Sequence, residues 1–485
     1  MNIAPSTLSH LLAARRPSAA WLLTAVMTVV IAIGSALRIA GTRGDLWFDE
    51  IWTLVLLQPI GWVGQVFWGI NNDNNHFLNS VYLYAVGPDA SVMVQRGLSV
   101  VLGTAAIAAA GLVTIRNGGR AALIAMALFA VSYPMVHFGS EARGYAGLVL
   151  FALLALVCLQ HELDRPHWVN RQGLGAAIGL GLISHLTMAG PAVVLALWTF
   201  WLVWRRTGSL RAAEAVTRTI FRSAIVWALV IGAVMVFGAL RHGFTVGGID
   251  PFEPARFVEG YGGLIRLLLG LPEQVPAWSC LAAAALAVIV AAMLRRHDPM
   301  AGLYVGSVIL LPAAMFAAHL PNLQFARYYL FAGAMFLLFV ADCMGRAWQR
   351  GGIWRSIALV AVLAFALGNA ASLRSFLEGQ RGHYAAAVAR MAEQGAFAYG
   401  GDHDFRTPLL VNFFAGRQGA TAHYVPLAEW CRTTPQLLLI EDPSVQARAE
   451  LDVNAPTCSL HYRRDGLFPA WGLSGWQWAL YRLVP

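Results

Sequence analysis

Lysine is absent from this chain, and all 34 of its basic residues are arginine. That absence removes whole classes of chemistry. No P-loop lysine reaches a nucleotide phosphate and no Schiff-base lysine forms. Any phosphate bound here is held by arginine, backbone amides or a metal. Charge of either sign is scarce: 12% of the residues are charged, where soluble domains carry about a quarter. Cysteine is rare as well. Cys158, Cys280 and Cys343 lie in or beside apolar runs and read as small buried hydrophobes. Cys431 and Cys458 fall in a polar C-terminal part and can pair if that part is exported. No CxxC metal spacing, low-complexity tract or solenoid repeat occurs.

What remains is apolar sequence. Hydrophobic residues make up 58% of the 485 positions, and the mean hydropathy is +0.59. A lipid bilayer accounts for that balance where a water-soluble core does not. Runs long enough to span, some with tilt, are predicted at Trp21–Leu37, Val92–Ile115, Ala121–Phe138, Gly144–Gln160, Leu174–His185, Met188–Trp204, Ser223–Leu240, Ala277–Leu294, Gly302–Leu320, Arg327–Met344 and Ile353–Ser372. This is an all-α polytopic membrane protein of about eleven helices. Leu174–Trp204 reads as a tight hairpin.

The net charge of +9 is not a nucleic-acid footprint, because the arginines are scattered through short loops. With the N-terminus inside, behind Arg15 and Arg16, the inner loops hold Arg116 and Arg120, Arg165 and Arg171, Arg205 to Arg222, Arg295 and Arg296, and Arg346 to Arg355. The short outer loops hold Arg143 and Arg327 singly. That asymmetry follows the positive-inside rule and puts the C-terminus outside after an odd number of spans. No small-residue cleavage site follows the first run, so it reads as a retained helix. Arginine in place of lysine points to a GC-rich bacterial genome, hence a bacterial plasma membrane.

Two outer loops are long. Between Arg38 and Gly87, Trp47, Phe48, Trp52, Trp62, Phe67 and Trp68 recur at roughly helical spacing, the pattern of segments lying in the interface plane. The second runs from Arg241 to Pro276. After Ser372 the composition changes. A helix over His383–Gln394 and strands at Ala420–Val425, in Pro435–Asp442 and at Trp476–Leu483 predict a small exported α/β domain. The predicted organisation is a membrane domain over residues 1–372 and an extracytoplasmic domain over 373–485.

Four polar clusters fall on the predicted outer side. Asp49 and Glu50, in Trp47-Phe48-Asp49-Glu50, are adjacent carboxylates at the membrane edge, where desolvation suits them to proton transfer; either also reads as a solvated acid flanking a helix. Glu141 and Arg143, in Ser140-Glu141-Ala142-Arg143-Gly144-Tyr145, occupy a very short turn; the arginine suits a phosphate oxygen pair, and a local ion pair is the plainer reading. Asn75 and His76 sit in Asn74-Asn75-His76-Phe77, where histidine can hydrogen-bond a sugar, share a proton or simply be solvated. Arg327 and Tyr328 open a late span, as phosphate holders or as a snorkelling arginine with interfacial tyrosines. Asp49, Glu50 and His76 offer ligands for a divalent metal, but no spacing demands one. His185 and His319 read as structural. Four clusters converging on one face favour a site over accident.

At these residues the sequence resembles the GT-C glycosyltransferases, the superfamily of the protein O-mannosyltransferases and the aminoarabinose transferase of lipid A. The blocks are Asp49-Glu50 after the first helix; Asp73-Asn74-Asn75-His76-Phe77-Leu78 before a Tyr/Leu run, without the family's two prolines; Ser140-Glu141-Ala142-Arg143-Gly144-Tyr145; and Ala326-Arg327-Tyr328. The resemblance implies two juxtamembrane helices in the first outer loop and a polyprenyl-phosphate sugar donor. It makes Asp49 the catalytic carboxylate, with Glu50 beside it. Arg143, Arg327 and Tyr328 become donor-phosphate contacts, and Asn75, His76, Glu141 and Tyr145 substrate contacts. The acceptor would be a lipid, a glycan or a protein, and membrane lipid the surrounding partner. The competing class is a polytopic lipid transporter or flippase, which needs polar groups near the midplane.

Overall fold

The computed structural model describes residues 17–393, 395–455 and 458–484. Arg15 and Arg16, and the end of the predicted helix at Gln394, lie outside the described residues. Nine helices among the described residues are long and apolar enough to cross a membrane. The helices that matter here are α1 (Pro17–Gly41), α2 (Phe48–Leu57), α3 (Phe77–Val86), α4 (Gly97–Thr114), α5 (Gly119–Val131), α6 (Tyr133–Phe138), α7 (Tyr145–Asp164) and α8 (Trp168–Ser184). They continue as α9 (Ala189–Thr207), α10 (Leu210–His242), α11 (Ala277–Leu294), α12 (Pro299–Ala317), α13 (Leu330–Arg350) and α14 (Gly352–Gly379). With the shorter α5 and α8 added, eleven helices correspond to the predicted spans.

Their burial follows their place in the bundle. Helices α7 and α13 are mostly buried, whereas α1, α10, α11 and α14 are largely exposed along apolar faces. Leu294 is 81% exposed and Leu367 72%. In water such faces would drive aggregation; in lipid they meet a solvent as apolar as themselves.

Two predicted spans differ in detail. The run Ala121–Phe138 is two helices, because the chain turns extended at Ser132 and Pro134 opens α6 within its first turn. Proline fits there, where its missing N–H is not needed. Val92–Ile115 begins as a short turn, Val92–Gln95, and becomes α4 only after Arg96.

Loops assigned to one side by arginine count meet one another. Arg295 and Arg346 both pair with the buried Asp342 of α13; Arg346 also holds Asp298 at 2.6 Å, and Asn117 donates to Asp342. At the other end of the bundle the two long loops join. Thr245 N–H donates to Asn71 O at 2.8 Å, and Gly247 N–H to Asp73 at 2.9 Å.

After α14 come α15 (Tyr384–Ala392), β1 (Phe397–Gly401), α16 (Arg406–Gln418), β2 (Ala422–Tyr424), β3 (Leu437–Ile440), β4 (Glu450–Ala455), β5 (Cys458–Phe468) and β6 (Trp478–Leu483). One sheet has the order β2-β1-β3-β6-β5-β4. Strands β1, β2 and β3 are parallel, and β6, β5 and β4 join antiparallel. A disulfide links Cys431 to Cys458. The buried Arg381 fastens this part to the bundle, donating to Gly41 O, His137 O and Ser140 Oγ at 2.8, 2.7 and 3.1 Å.

Candidate functional site

The site grows from the first turn of α2. Helix α2 starts at Phe48 with no side-chain cap from Trp47, so Glu50 reaches back and accepts from the Trp47 N–H at 3.1 Å. Both acids lie in the first turn, where the helix dipole favours negative charge. Being adjacent, they point apart.

Glu50 turns inward. Its side chain is 1% exposed and accepts two bonds from Arg96, at 2.8 Å (Nε) and 2.5 Å (Nη2). It also accepts the Ala142 N–H at 2.7 Å. Arg96 spends its remaining donors on Thr42 O at 3.0 Å and Asp45 O at 2.8 Å. Burial alone would raise the Glu50 carboxyl, but the charge and hydrogen bonds of Arg96 outweigh it and hold it below its usual value. Glu50 is thus a fully partnered clamp joining the first loop, α4 and the 140–144 turn.

Asp49 turns the other way. Its Oδ2 lies 3.3 Å from Arg143 Nη2 and 3.8 Å from Arg327 Nη1. Asn74 locks the arrangement: its amide donates to Asp49 O at 2.9 Å and Thr53 Oγ1 at 2.8 Å, while its oxygen accepts from Arg143. Arg143 reaches the Tyr145 hydroxyl at 3.4 Å, and its Nε has no hydrogen-bond partner among the described residues. Burial would pull its guanidinium down, but Asp49, Tyr145 and Glu141 more than offset that, so it stays charged. Arg327 lies over the Phe325 ring at 4.1 Å, with Tyr328 at 5.7 Å and Trp47 at 6.0 Å. No hydrogen bond joins the Arg327 guanidinium to a described residue. It is a charged group with donors to spare.

His76 is buried against His185, ring centroids 4.5 Å apart, with Tyr145 within 6 Å of both rings. Burial, then Arg143, His185 and Arg327, hold it well below the usual histidine value, so it is neutral. Its Nε2 has no hydrogen-bond partner among the described residues. Gly144 makes this packing possible: a Cβ there would stand 1.8 Å from Ser184 O and 3.2 Å from the His76 ring. Asn75 is turned to the loop backbone, donating to Val66 O at 2.8 Å and Ile70 O at 3.0 Å. Glu141 accepts from Trp47 Nε1 at 3.0 Å and from the Ser474 hydroxyl at 2.9 Å. Burial pushes its carboxyl up, Arg381 opposes this and Glu50 adds to it.

Asp49, Arg143, Arg327 and Tyr145 therefore meet, with His76 beside them, while Glu50, Asn75 and Glu141 are engaged in holding the loops. Among the described residues no three His, Cys, Asp or Glu side chains are placed to hold a metal. Sequence reasoning missed Arg96, Asn74 as a bracket, Arg381 and Ser474. Arg96 carried a usable signal, a charge inside a predicted span.

Nine long apolar helices among the described residues, with α5 and α8, two short helices in the first long loop and a C-terminal sheet folded back onto that loop make up a GT-C-like fold. Two structures of ArnT from Cupriavidus metallidurans share it. The apo form has TM-score 0.52 at 13% identity and the form bound to undecaprenyl phosphate 0.50 at 15%; each alignment covers 96% of this chain and 98% of the other. The archaeal oligosaccharyltransferase AglB from Archaeoglobus fulgidus, in complex with an inhibitory peptide and a dolichol-phosphate, aligns with TM-score 0.50 and 12% identity, over 88% of this chain and 70% of that one. The sequence matches no family model and no curated protein.

Proposed function

We propose that this protein is an integral-membrane glycosyltransferase that moves a sugar from a polyprenyl-phosphate donor to an acceptor hydroxyl. The observation that carries the reading is Asp49 between two guanidinium groups, one of which, Arg327, has uncommitted donors. Arg143 and Arg327 hold the donor phosphate, with Tyr328 supporting Arg327. As the anomeric carbon–oxygen bond breaks, the electron pair passes to the phosphate oxygen, and preorganised guanidinium groups in a poorly hydrated site stabilise that charge. Asp49 accepts the hydrogen bond, then the proton, of the attacking hydroxyl, in a single displacement with inversion. His76 and Tyr145 border the sugar. Asp49, Arg143 and Arg327 lie together where α2, α7 and α13 begin, which favours transfer at one surface over a transport path. The site face is extracytoplasmic, in a plasma membrane, with residues from 373 onward exported alongside it.

The test uses protein in lipid nanodiscs with a panel of polyprenyl-linked sugars, read by mass spectrometry. Asp49→Asn should lower transfer at least about 100-fold while undecaprenyl phosphate still binds; Arg327→Gln should weaken that binding. Near wild-type turnover by Asp49→Asn removes the carboxylate from the mechanism.

A further inference from the structure

A second cavity lies in the C-terminal sheet domain, and none of the chemistry above uses it. It encloses about 400 Å³ and is lined by Asp402, Arg406, Glu441, Gln446, Trp476 and Gln477, among others. That volume falls within the roughly 300–1,000 Å³ of small-ligand sites. Its place in the sheet is informative. Asp402 follows β1 and Glu441 follows β3, so the cavity opens at the carboxyl ends of two neighbouring parallel strands. From β1 the chain leaves through α16 to β2 on one side; beyond β3 it goes on to β4, β5 and β6 on the other, with β6 lying next to β3. Crevices at such reversals of strand order are the usual ligand sites of open α/β sheets.

The lining is built rather than incidental. Asp402 is fixed by the backbone N–H groups of Glu441 at 2.8 Å and Asp442 at 2.9 Å. The Glu441 side chain is 7% exposed and pairs with Arg406 at 3.2 Å. Its Oε1 makes no hydrogen bond within 3.5 Å among the described residues, and neither does Arg406 Nε. The Trp478 indole faces the same carboxyl without closing a hydrogen bond of ordinary geometry, and a hydroxyl or amine donor from a ligand would complete the partnering of that buried oxygen. Gln446 and Gln477 bond to each other at 2.9 Å, and Arg406 lies 4.8 Å from the Trp476 ring.

Trp476 also links this cavity to the reacting centre. Its ring contacts Trp47 at 5.9 Å and Phe48 at 5.7 Å, the two residues just before Asp49. An aromatic wall beside carboxylate, guanidinium and amide groups, with no metal-holding set among the described residues, matches the chemistry of a pyranose: apolar C–H faces and a rim of hydroxyl or amino groups. We infer that this cavity is a saccharide-binding subsite, and that it holds a pyranose unit of a carbohydrate acceptor while a neighbouring hydroxyl is offered at Asp49. The inference rests on the transferase reading above and narrows its acceptor to a glycan or glycolipid.

The experiment measures saturation-transfer difference NMR on the full chain in nanodiscs. The probes are the methyl glycosides of glucose, mannose and glucosamine, which separate hydroxyl from amine recognition. Wild-type protein should give transfer to at least one probe. Glu441→Ala should lower it at least tenfold, and Ala470→Trp, which fills the cavity from a half-buried wall position, should do the same. Transfer to no probe, or transfer that persists in both variants, overturns the assignment. Undecaprenyl phosphate binding, measured on the same samples, should survive Ala470→Trp. Its absence from wild-type protein would count against the donor reading instead, so the two failures are distinct.

Discussion

The clamp between Arg96 and Glu50 fixes where Asp49 points, so breaking it should be felt at the site. Both side chains are at most 1% exposed, and the pair is closed by bonds of 2.8 and 2.5 Å. Arg96→Met leaves the Glu50 carboxylate buried with only the Trp47 and Ala142 N–H groups, and strips Thr42 O and Asp45 O of their donor. Removing one partner of such a pair costs about 3–5 kcal/mol, chiefly for the stranded charge. Glu50→Leu strands the arginine and costs a similar amount. The double variant carries neither charge, so it should recover about 2 kcal/mol or more relative to additivity. Amide hydrogen exchange in nanodiscs reads the effect locally. The N–H groups of Glu50 and Ile51 both donate to Trp47 O, and a loss of about 3 kcal/mol should speed their exchange about 100-fold. Transfer should fall in parallel, because Asp49 rides on the same turn. Exchange within about threefold of wild type in the single variants, or strictly additive effects in the double, refutes the clamp.

Two further outcomes follow from the packing and the buried charge. Gly144→Ala has to displace the 140–144 turn from Ser184 O, at about 1–3 kcal/mol; undecaprenyl phosphate binding should weaken about tenfold or more, and unchanged binding would show that the turn yields without moving Arg143. Glu441 has its carboxyl raised by burial from 4.5 to about 7, with Arg406 opposing and Asp402 adding. The folded state therefore keeps a proton that the unfolded chain has lost, and stability falls as pH rises from 4.5 through 7, by about 3 kcal/mol in all. Glu441→Gln should thus melt higher than wild type at pH 8 and no differently below pH 4; equal melting at both would show that Glu441 ionises freely.

Much of the membrane architecture was legible in the chain because lipid demands long apolar runs, and a fold built for water seldom contains runs of that length. The Asp49 turn stood out for a related reason, since paired acids just beyond a predicted span are conspicuous against so little charge. The cysteine pair was legible because both residues fall in the polar part. What was not legible depended on distance. Nothing near Glu50 names Arg96 as its partner, and the pairing is made 46 residues away. Ser474 sits in a glycine- and tryptophan-rich loop with no pattern that foretells a contact with Glu141. Strands β4 and β5 alternate polar and apolar residues weakly, because β5 is only partly buried along its length, so the period-two signal of a half-buried strand is blurred.

The division of labour between the neighbouring acids follows from one geometric fact. Successive residues in the first turn of a helix project about 100° apart, so a carboxylate pair there cannot face one partner. Glu50 meets Arg96 in the interior, and Asp49 is left facing Arg143 and Arg327 on the other side of the turn. The interior member, by binding the Ala142 N–H, brings the turn that carries Arg143 to its place. Next to it, Glu141 is held by Trp47 from the first loop and by Ser474 from the C-terminal part, whose hydroxyl also meets His137 at 3.0 Å. Arg381 adds three more bonds to the same turn and its neighbours. The C-terminal sheet is therefore part of the scaffold that holds Asp49, Arg143 and Arg327, the groups proposed to react. A shift of the 469–476 loop, for instance on filling the cavity beside Trp476, would act on Glu141 and Trp47 together, a physical route from the proposed acceptor subsite to the geometry at Asp49.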